Sequence, residues 1–420
     1  MMEPTQKKKI FSWAFYDWAN SAYSTTVMAG FFPIFFKQYW SQGTDAVITT
    51  ARLGTVISVS SLLIALLSPT LGVIADLKGF KKLFCLMFTL VGVLSCAWMG
   101  FIPGGDWTSA MLAYGIAMMA FNAASVFYDS LLPYVAEGRW MDYASSLGYS
   151  LGYLGGGVLF LINVLMYLFP ATFGISDGVT AIKISFVMVA VWWLVFSLPL
   201  AKNVPEPPVE ASPHNIWQLT QKSLHTLKRT LASLMKERNL LIFMVAYWLY
   251  IDGVYTVMTM AVDYGISIGF EAKDLIAALL ITQFIGFPCA YYFGTLTRRW
   301  GTKMPILICI VIYGITVVAA TFMATAWHFY ILATVIGMVQ GGVQSLSRSM
   351  FGRMIRKEES GEYFGLFNLV GRFASILGPL VVALGVLVTG NSRLGMIGLL
   401  VLFVIGGGLL ALVKEPANHA

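Results

Sequence analysis

The chain has 420 residues, of which 58% are hydrophobic and only 11% charged, with a mean hydropathy of +0.76. Soluble proteins carry about 25% charged residues, so this composition excludes a water-soluble enzyme of ordinary make-up, and it excludes an intrinsically disordered chain as well. The net charge of +7 sits in short clusters between long apolar runs, which is the pattern of loops between membrane spans and not of a nucleic-acid-binding surface.

A bilayer core about 30 Å thick needs roughly 20 apolar residues per helix. Windows of that kind fall at 11–36, 53–75, 83–102, 108–132, 145–169, 180–200, 240–262, 273–296, 304–324, 327–351, 363–389 and 394–413. The sequence therefore predicts an all-α integral membrane protein of twelve spans, with clustered glycines weakening those that begin at 145 and 363. The first apolar stretch contains Asp17 and Asn20 and runs well past the length of a signal core, so no cleaved leader is expected. The four cysteines (Cys85, Cys96, Cys289, Cys309) lie in apolar stretches at unrelated spacings and read as buried thiols, not as a disulfide or zinc framework.

Orientation follows from the bias of Lys and Arg among the short loops. With both termini cytoplasmic, the inner side holds 21 basic residues and the outer side five, with Arg372 inside a span. Residues 201–239 differ from the other loops. A proline-rich start (Pro205, Pro207, Pro208, Pro213) leads into a stretch where Ile216, Leu219, Leu227, Leu231 and Leu234 share one face, with Lys222, Lys228, Arg229 and Lys236 on the polar side. That is a basic amphipathic helix suited to the inner membrane surface. It divides the chain into a six-helix unit at 1–200, a linker at 201–239 and a second six-helix unit at 240–420.

An internal repeat points the same way. Gly72, Asp76, Gly79 and Lys81 after the second span have the spacing of Gly294, Arg298, Gly301 and Lys303 after the eighth, 222 residues later. Glycine lets helix ends approach closely and permits a tight turn, while the charge can cap or latch a neighbouring helix. Gly148, Gly152 and Gly155 in the fifth span are echoed by Gly365, Gly371 and Gly378 in the eleventh. Secondary transporters are built from such repeats, with the solute site between them near the midplane.

The first copy of this loop resembles the signature loop of the major facilitator superfamily. More specifically, the chain is similar to the vacuole-effluxer-like branch of that superfamily, which includes the fungal autophagy-related vacuolar amino-acid effluxer and bacterial permeases. The resemblance rests on the run from Tyr16 to Tyr23 (Tyr-Asp-Trp-Ala-Asn-Ser-Ala-Tyr), on Tyr128, Asp129 and Pro133 closing the fourth span, and on Gly148 to Gly157. It continues through Tyr250, Asp252, Gly253 and Tyr255 in the seventh span, Gln344 to Ser349 in the tenth, and Phe364 to Pro379 in the eleventh. It implies two pseudo-symmetric six-helix bundles working by alternating access, with spans 1, 4, 7 and 10 lining the cavity. It also implies export of small zwitterionic solutes such as neutral amino acids.

Ionisable groups inside a span are costly and face a cavity or a partner. Trp13, Asp17, Asn20 and Ser24 share one helical face of the first span, and Asn122, Ser125 and Asp129 share one of the fourth. Asp252, Tyr255, Thr259 and Asp263 form a stripe on the seventh, Gln340, Gln344 and Ser347 on the tenth beside Arg348, and Asn368, Arg372 and Ser375 on the eleventh. The stripes on spans 1, 4, 7 and 10 fall on the cavity helices that the resemblance implies, and Tyr16, Tyr23, Tyr128, Tyr250 and Tyr255 would add aromatic walls.

The substrate or coupling set is thus Trp13, Tyr16, Asp17, Asn20, Asn122, Asp252, Tyr255, Gln340 and Gln344. Asp252, near mid-membrane, is the first choice for a solute amine or a proton, and the two glutamines read equally well as inter-helix glue. Depth places Asp17, Asp129, Arg348 and Arg372 near the cytoplasmic surface as an inner gate of acids facing bases, and Asp76 and Arg298 support the conformational change.

No G-x-x-x-x-G-K-[ST] loop and no G-x-S-x-G elbow occurs, and His214, His225, His328 and His419 lie off the cavity faces. The expectation is a non-enzymatic secondary transporter without a cofactor, working as a monomer in a bacterial inner membrane. Its partners would be a small-molecule solute, membrane lipid and, for coupling, the proton, with no nucleic acid. Other solutes remain open: a sugar, an amphiphile, a siderophore, or a metal ion at a carboxylate site of Asp17 and Asp129. A solute sensor or lipid-handling protein on the same fold is the alternative from another class.

Overall fold

A computed structural model describes residues 3–209, 230, 232–267, 272–373, 377–389 and 392–416. The chain begins with α1 (Pro4–Ala22), which continues without a break as far as Trp40, largely in π-helical geometry. Then come α2 (Ala46–Lys78), α3 (Lys81–Met99), α4 (Trp107–Ser130), α5 (Arg139–Leu168) and α6 (Gly178–Asn203). The second half holds α7 (Arg238–Ser267), α8 (Ala272–Trp300), α9 (Lys303–Ala320) and α10 (Ala326–Met354). It ends with α11 (Ser360–Phe373), α12 (Leu377–Thr389), α13 (Ser392–Ile397) and α14 (Leu399–Leu412).

Ten of the described helices are long and apolar enough to cross a membrane. The expected first and eleventh spans correspond to α1 with its extension and to the pair α11 and α12, so the architecture is consistent with twelve crossings. Most of the expected amphipathic helix at 201–239 falls on 210–229 and 231, outside the described residues.

The helix ends follow local chemistry. Asp106 and Asp177 cap α4 and α6 by accepting from the backbone N–H of Ser109 (3.1 Å) and Thr180 (2.8 Å). Before the undescribed stretch, Glu206 reaches back to accept from the N–H groups of Lys82 (2.8 Å) and Leu83 (3.0 Å), closing the start of α3. Both loops of the internal repeat turn on a left-handed glycine, Gly79 at φ 67° and Gly301 at φ 69°.

The π-helical run has its own logic. Tyr23, Val27, Phe31, Phe32, Phe36 and Trp40 are all buried, at intervals that keep step with a turn of more than four residues. An α-helix would rotate such a series off one face. Here Phe32 stacks on Tyr114 with ring centroids 3.8 Å apart, and Tyr23 lies between Phe121 and Trp193.

Buried apolar residues form two clusters drawn from residues 234–413, one large and one small around Met323 and Phe329, and two drawn from residues 10–204. Between the halves α5 packs along α8, and α2 along α11. Glycine makes each approach possible. A Cβ on Gly72 would collide with the Gly361 carbonyl oxygen, and one on Gly294 would fall 2.5 Å from the Ser146 Cβ. Lys9, near the start of α1, and Glu415, past the end of α14, lie on one face of the bundle. There Lys9 reaches the Tyr134 carbonyl, Lys357 pairs with Glu137, and Glu415 accepts from the Thr302 N–H.

Candidate functional site

The two halves meet near that terminal face around one buried guanidinium. Arg348, about two turns past the middle of α10, is 3% exposed. Its Nη1 donates to Asp129 Oδ1 at 2.9 Å and its Nε to Ser145 Oγ at 2.8 Å. Its Nη2 donates to the Ser145 carbonyl at 3.0 Å and to Asp17 Oδ2 at 3.4 Å. Three rings enclose it, with the guanidinium carbon 4.4 Å from the ring centre of Tyr149, 5.0 Å from Trp13 and 5.4 Å from Tyr128.

Each member is itself held in place. Trp13 stacks on Tyr128 at 4.3 Å and donates its indole N–H to the Tyr128 carbonyl. The Tyr128 hydroxyl donates to Asp17 Oδ2 at 2.9 Å, and the Asn368 amide to Asp129 Oδ2 at 3.3 Å. Gly148 provides the space, since a Cβ there would sit 2.5 Å from Asp17 Oδ2, 3.0 Å from the Tyr128 hydroxyl and 3.1 Å from Arg348 Nη2.

A second buried pair closes the same face. Asp142, on the first turn of α5, accepts from Arg353 Nη1 (3.0 Å), the Ser349 hydroxyl (2.6 Å) and the Thr302 hydroxyl (2.9 Å). Glu415 lies 3.8 Å from the other end of the Arg353 fork. Asp76 forms a third link: its carboxylate accepts from the N–H groups of Gly361 (2.9 Å) and Glu362 (2.8 Å) while paired with Lys81 at 2.6 Å. An acid from α2 thereby caps the first turn of α11, where the helix dipole favours negative charge. Arg298, at the equivalent place in the repeat, is exposed and lies over the Trp140 ring of the opposite half.

The structure thus brings Asp17, Asp129, Arg348 and Trp13 into one cluster, with Asn20 and Asn122 buried deeper on the same helices. The Asn122 amide nitrogen has no partner among the described atoms. Gln340 is buried, and Gln344, one turn before Arg348, sits 4.0 Å from the Met258 sulfur. Tyr255 is half-buried and packs on the core of the second half. The side chains of Arg372, Thr259, Asp263 and Ser375 lie outside the described residues.

Two expectations need correcting. Tyr16 and Tyr250 are not cavity walls. Each is fully buried inside its own half, with its hydroxyl 2.6 Å from Thr89 and from Ser347 respectively. Nor is Asp252 free to meet a solute in this conformation. It is fully buried, and its carboxylate accepts from the N–H groups of Leu377 (3.0 Å) and Gly378 (2.8 Å) and from the Thr256 hydroxyl (3.3 Å). The physical reason is the start of α12 inside the bilayer, where backbone N–H groups have no water and need an acceptor. The sequence reading also passed over Asp142, Ser145 and Arg353. The available signal was helical spacing, because Ser145, Gly148 and Gly152 share the small-residue face that α5 turns toward α1.

The described helices, consistent with twelve crossings, with glycine-turned loops at equivalent places and charged contacts across the seam, are those of a major facilitator superfamily transporter, a multi-pass membrane protein and not an enzyme. The solved proton:xylose symporter XylE shares this fold with a TM-score of 0.70 over 99% of this chain and 96% of its own, at 13% identity. The family model for vacuole effluxer Atg22-like proteins matches residues 5–418, and the chain belongs to that family. An uncharacterised MFS-type transporter, YxiO of Bacillus subtilis strain 168, is 39% identical over 410 residues, covering 97% of this chain and 95% of that protein. Autophagy-related protein 22-2 of Aspergillus niger is 27% identical over 292 residues, a match that spans 62% of this chain and about half (49%) of the fungal protein.

Proposed function

We propose that this transporter exports small zwitterionic solutes such as neutral amino acids, coupled to protons, by rocking residues 1–200 against residues 240–420. The observation that carries the reading is Arg348, held by Asp17 and Asp129 across the seam. Acids from the first half and a base from the second form a latch that exists only while the terminal face is shut. Asp142 with Arg353, and Asp76 with the start of α11, act in the same sense. Both termini face the cytoplasm, in keeping with the bias of basic residues, and the membrane is a bacterial inner membrane in which the protein works as a monomer.

The chemistry supports a zwitterion. Neutral polar groups (Asn20, Asn122, Gln340, Gln344) lie on the same three helices as Asp17, Asp129 and Arg348, and with the acids of the latch they offer donors to a carboxylate and acceptors to an amine. The fungal relatives' family name, vacuole effluxer, adds the direction. Counterflow in proteoliposomes with a labelled amino-acid panel, with and without a proton gradient, tests the reading. Saturable exchange of one or a few amino acids, stimulated by the gradient, is the expected result. Folded protein that exchanges none of them refutes the amino-acid assignment and turns the search to sugars, amphiphiles and metal ions.

A further inference from the structure

Every group that holds the Arg348 guanidinium comes from the first half of the chain. The acceptors are Asp17, Asp129 and Ser145, and the rings are Trp13, Tyr128 and Tyr149. The second half contributes the cation itself, with Asn368 bracing Asp129 from behind. The enclosure is therefore a complete receptor that one half of the protein presents to the other. Trp13, Tyr128 and Asp17 are tied together without Arg348, through the Trp13–Tyr128 stack and the Tyr128 hydroxyl on Asp17.

We propose that this enclosure is a binding site for a hydrogen-bond-donating organic cation, the guanidinium or primary ammonium group of a solute, for which Arg348 is the built-in competitor. The inference rests on the rocking motion proposed above and names the solute chemistry of the same seam. When the halves part at the terminal face, Arg348 leaves with α10 and two carboxylates remain beside three rings. The two carboxylates, bared to the entering water, attract cations, and the surrounding rings and acceptors favour one of matching shape. Ring faces add cation–π attraction, and the four acceptor contacts select a cation that can donate over one that cannot. Gly148 leaves the floor open for the group, because any side chain there would occupy it. On the return stroke Arg348 displaces the cation, which couples closing of the terminal face to release.

The test uses the full-length chain in detergent micelles with methylguanidinium chloride as probe and tetramethylammonium chloride at equal ionic strength as control. In Arg348→Ala the probe is expected to raise Tm saturably, as mass action requires of a ligand that binds only the folded state. The control should not, and adding Asp17→Asn should abolish the response. A second measurement stands if Arg348→Ala does not fold. In a Cys289→Ser background, Met141→Cys lies buried beside Gly352 of α10. The probe is expected to speed its maleimide labelling several-fold by competing with Arg348, and the control to leave it unchanged. Identical responses to probe and control, or none to either, overturn the proposal. A saturable probe response in a protein that exchanges no amino acid would refute the amino-acid assignment and leave the cation site standing.

Discussion

Gly148→Ala tests the geometry of the seam with a single methyl group. An ideal Cβ at 148 would fall 2.5 Å from Asp17 Oδ2, 3.0 Å from the Tyr128 hydroxyl and 3.1 Å from Arg348 Nη2. Against an optimum contact of roughly 3.5–4.0 Å, the first of these is about 1 Å too close. Overpacking of this kind costs about 1–3 kcal/mol, while replacing glycine by alanine within a helix returns up to ~1 kcal/mol. The helix gain is common to the closed and open states and cancels between them, so the clash alone, about 1–3 kcal/mol, separates them. Asp17 can swing away from the methyl only by leaving Arg348, so the cost falls on the closed state and not on the state with the halves apart.

A difference of 1.4 kcal/mol is tenfold in an equilibrium, so the closed-to-open ratio should fall by about 5- to 150-fold. Maleimide labelling of Met141→Cys in the Cys289→Ser background should quicken in proportion. Gly54→Ala is the control, since nothing lies within 4 Å of a Cβ at that position in α2. Its labelling rate should match the parent, with unchanged or slightly higher Tm. If Gly148→Ala labels no faster than Gly54→Ala, then Asp17, Tyr128 and Arg348 do not close around residue 148, and the cluster has been misread.

Three further expectations follow from other parts of the structure. Asp142→Asn breaks a buried pair that joins the halves and should cost about 3–5 kcal/mol, measured as a fall in thermal stability. A double-mutant cycle with Arg353→Met should be strongly non-additive, and additive effects would mean that the pair is not coupled. Asp252→Asn removes one of the two oxygens that cap α12 and should lower stability by about 0.5–2 kcal/mol while any pH dependence of flux persists. Lost pH dependence at unchanged Tm would instead return Asp252 to a coupling role. Outside the spans, the hydrogen bond from the Thr180 N–H, together with the Ser176 hydroxyl, holds the Asp177 carboxyl below its ordinary value of 3.8. A depressed carboxyl stabilises the fold above its unfolded value and loses that contribution as the pH falls through its folded value. The Tm gap between the native chain and Asp177→Ala should thus be present at neutral pH and close on acidification below 3.8, and a gap that persists in acid would exclude the cap as its source.

Hydropathy and charge are properties of short stretches, so the helix-rich membrane architecture was legible from windows of residues alone. The glycine repeat was legible too, because Gly79 and Gly301 serve local turns whose left-handed backbone only glycine adopts freely. The π-helical run to Trp40 could have been found from its aromatic spacing, which exceeds the α-helical period. Asp17, Asp129 and Arg348 stood out as charges in apolar surroundings, and the face each presents follows from helical register.

What no stretch of sequence contains is which acid meets which base. Asp17 and Arg348 are 331 residues apart, and Asp129 and Arg348 are 219 apart. Their meeting depends on how the helices of the two halves are set against each other, down to glycines that let backbones touch. The same holds for Asp252 and Asp76, whose charge suggested solute or gate, but whose oxygens accept backbone N–H groups at the starts of α12 and α11. A carboxylate in a membrane must be satisfied, and the sequence by itself shows that requirement at each acid. Only the tertiary structure decides whether the partner is a guanidinium across the seam or the open end of a helix, because both meet the same electrostatic need.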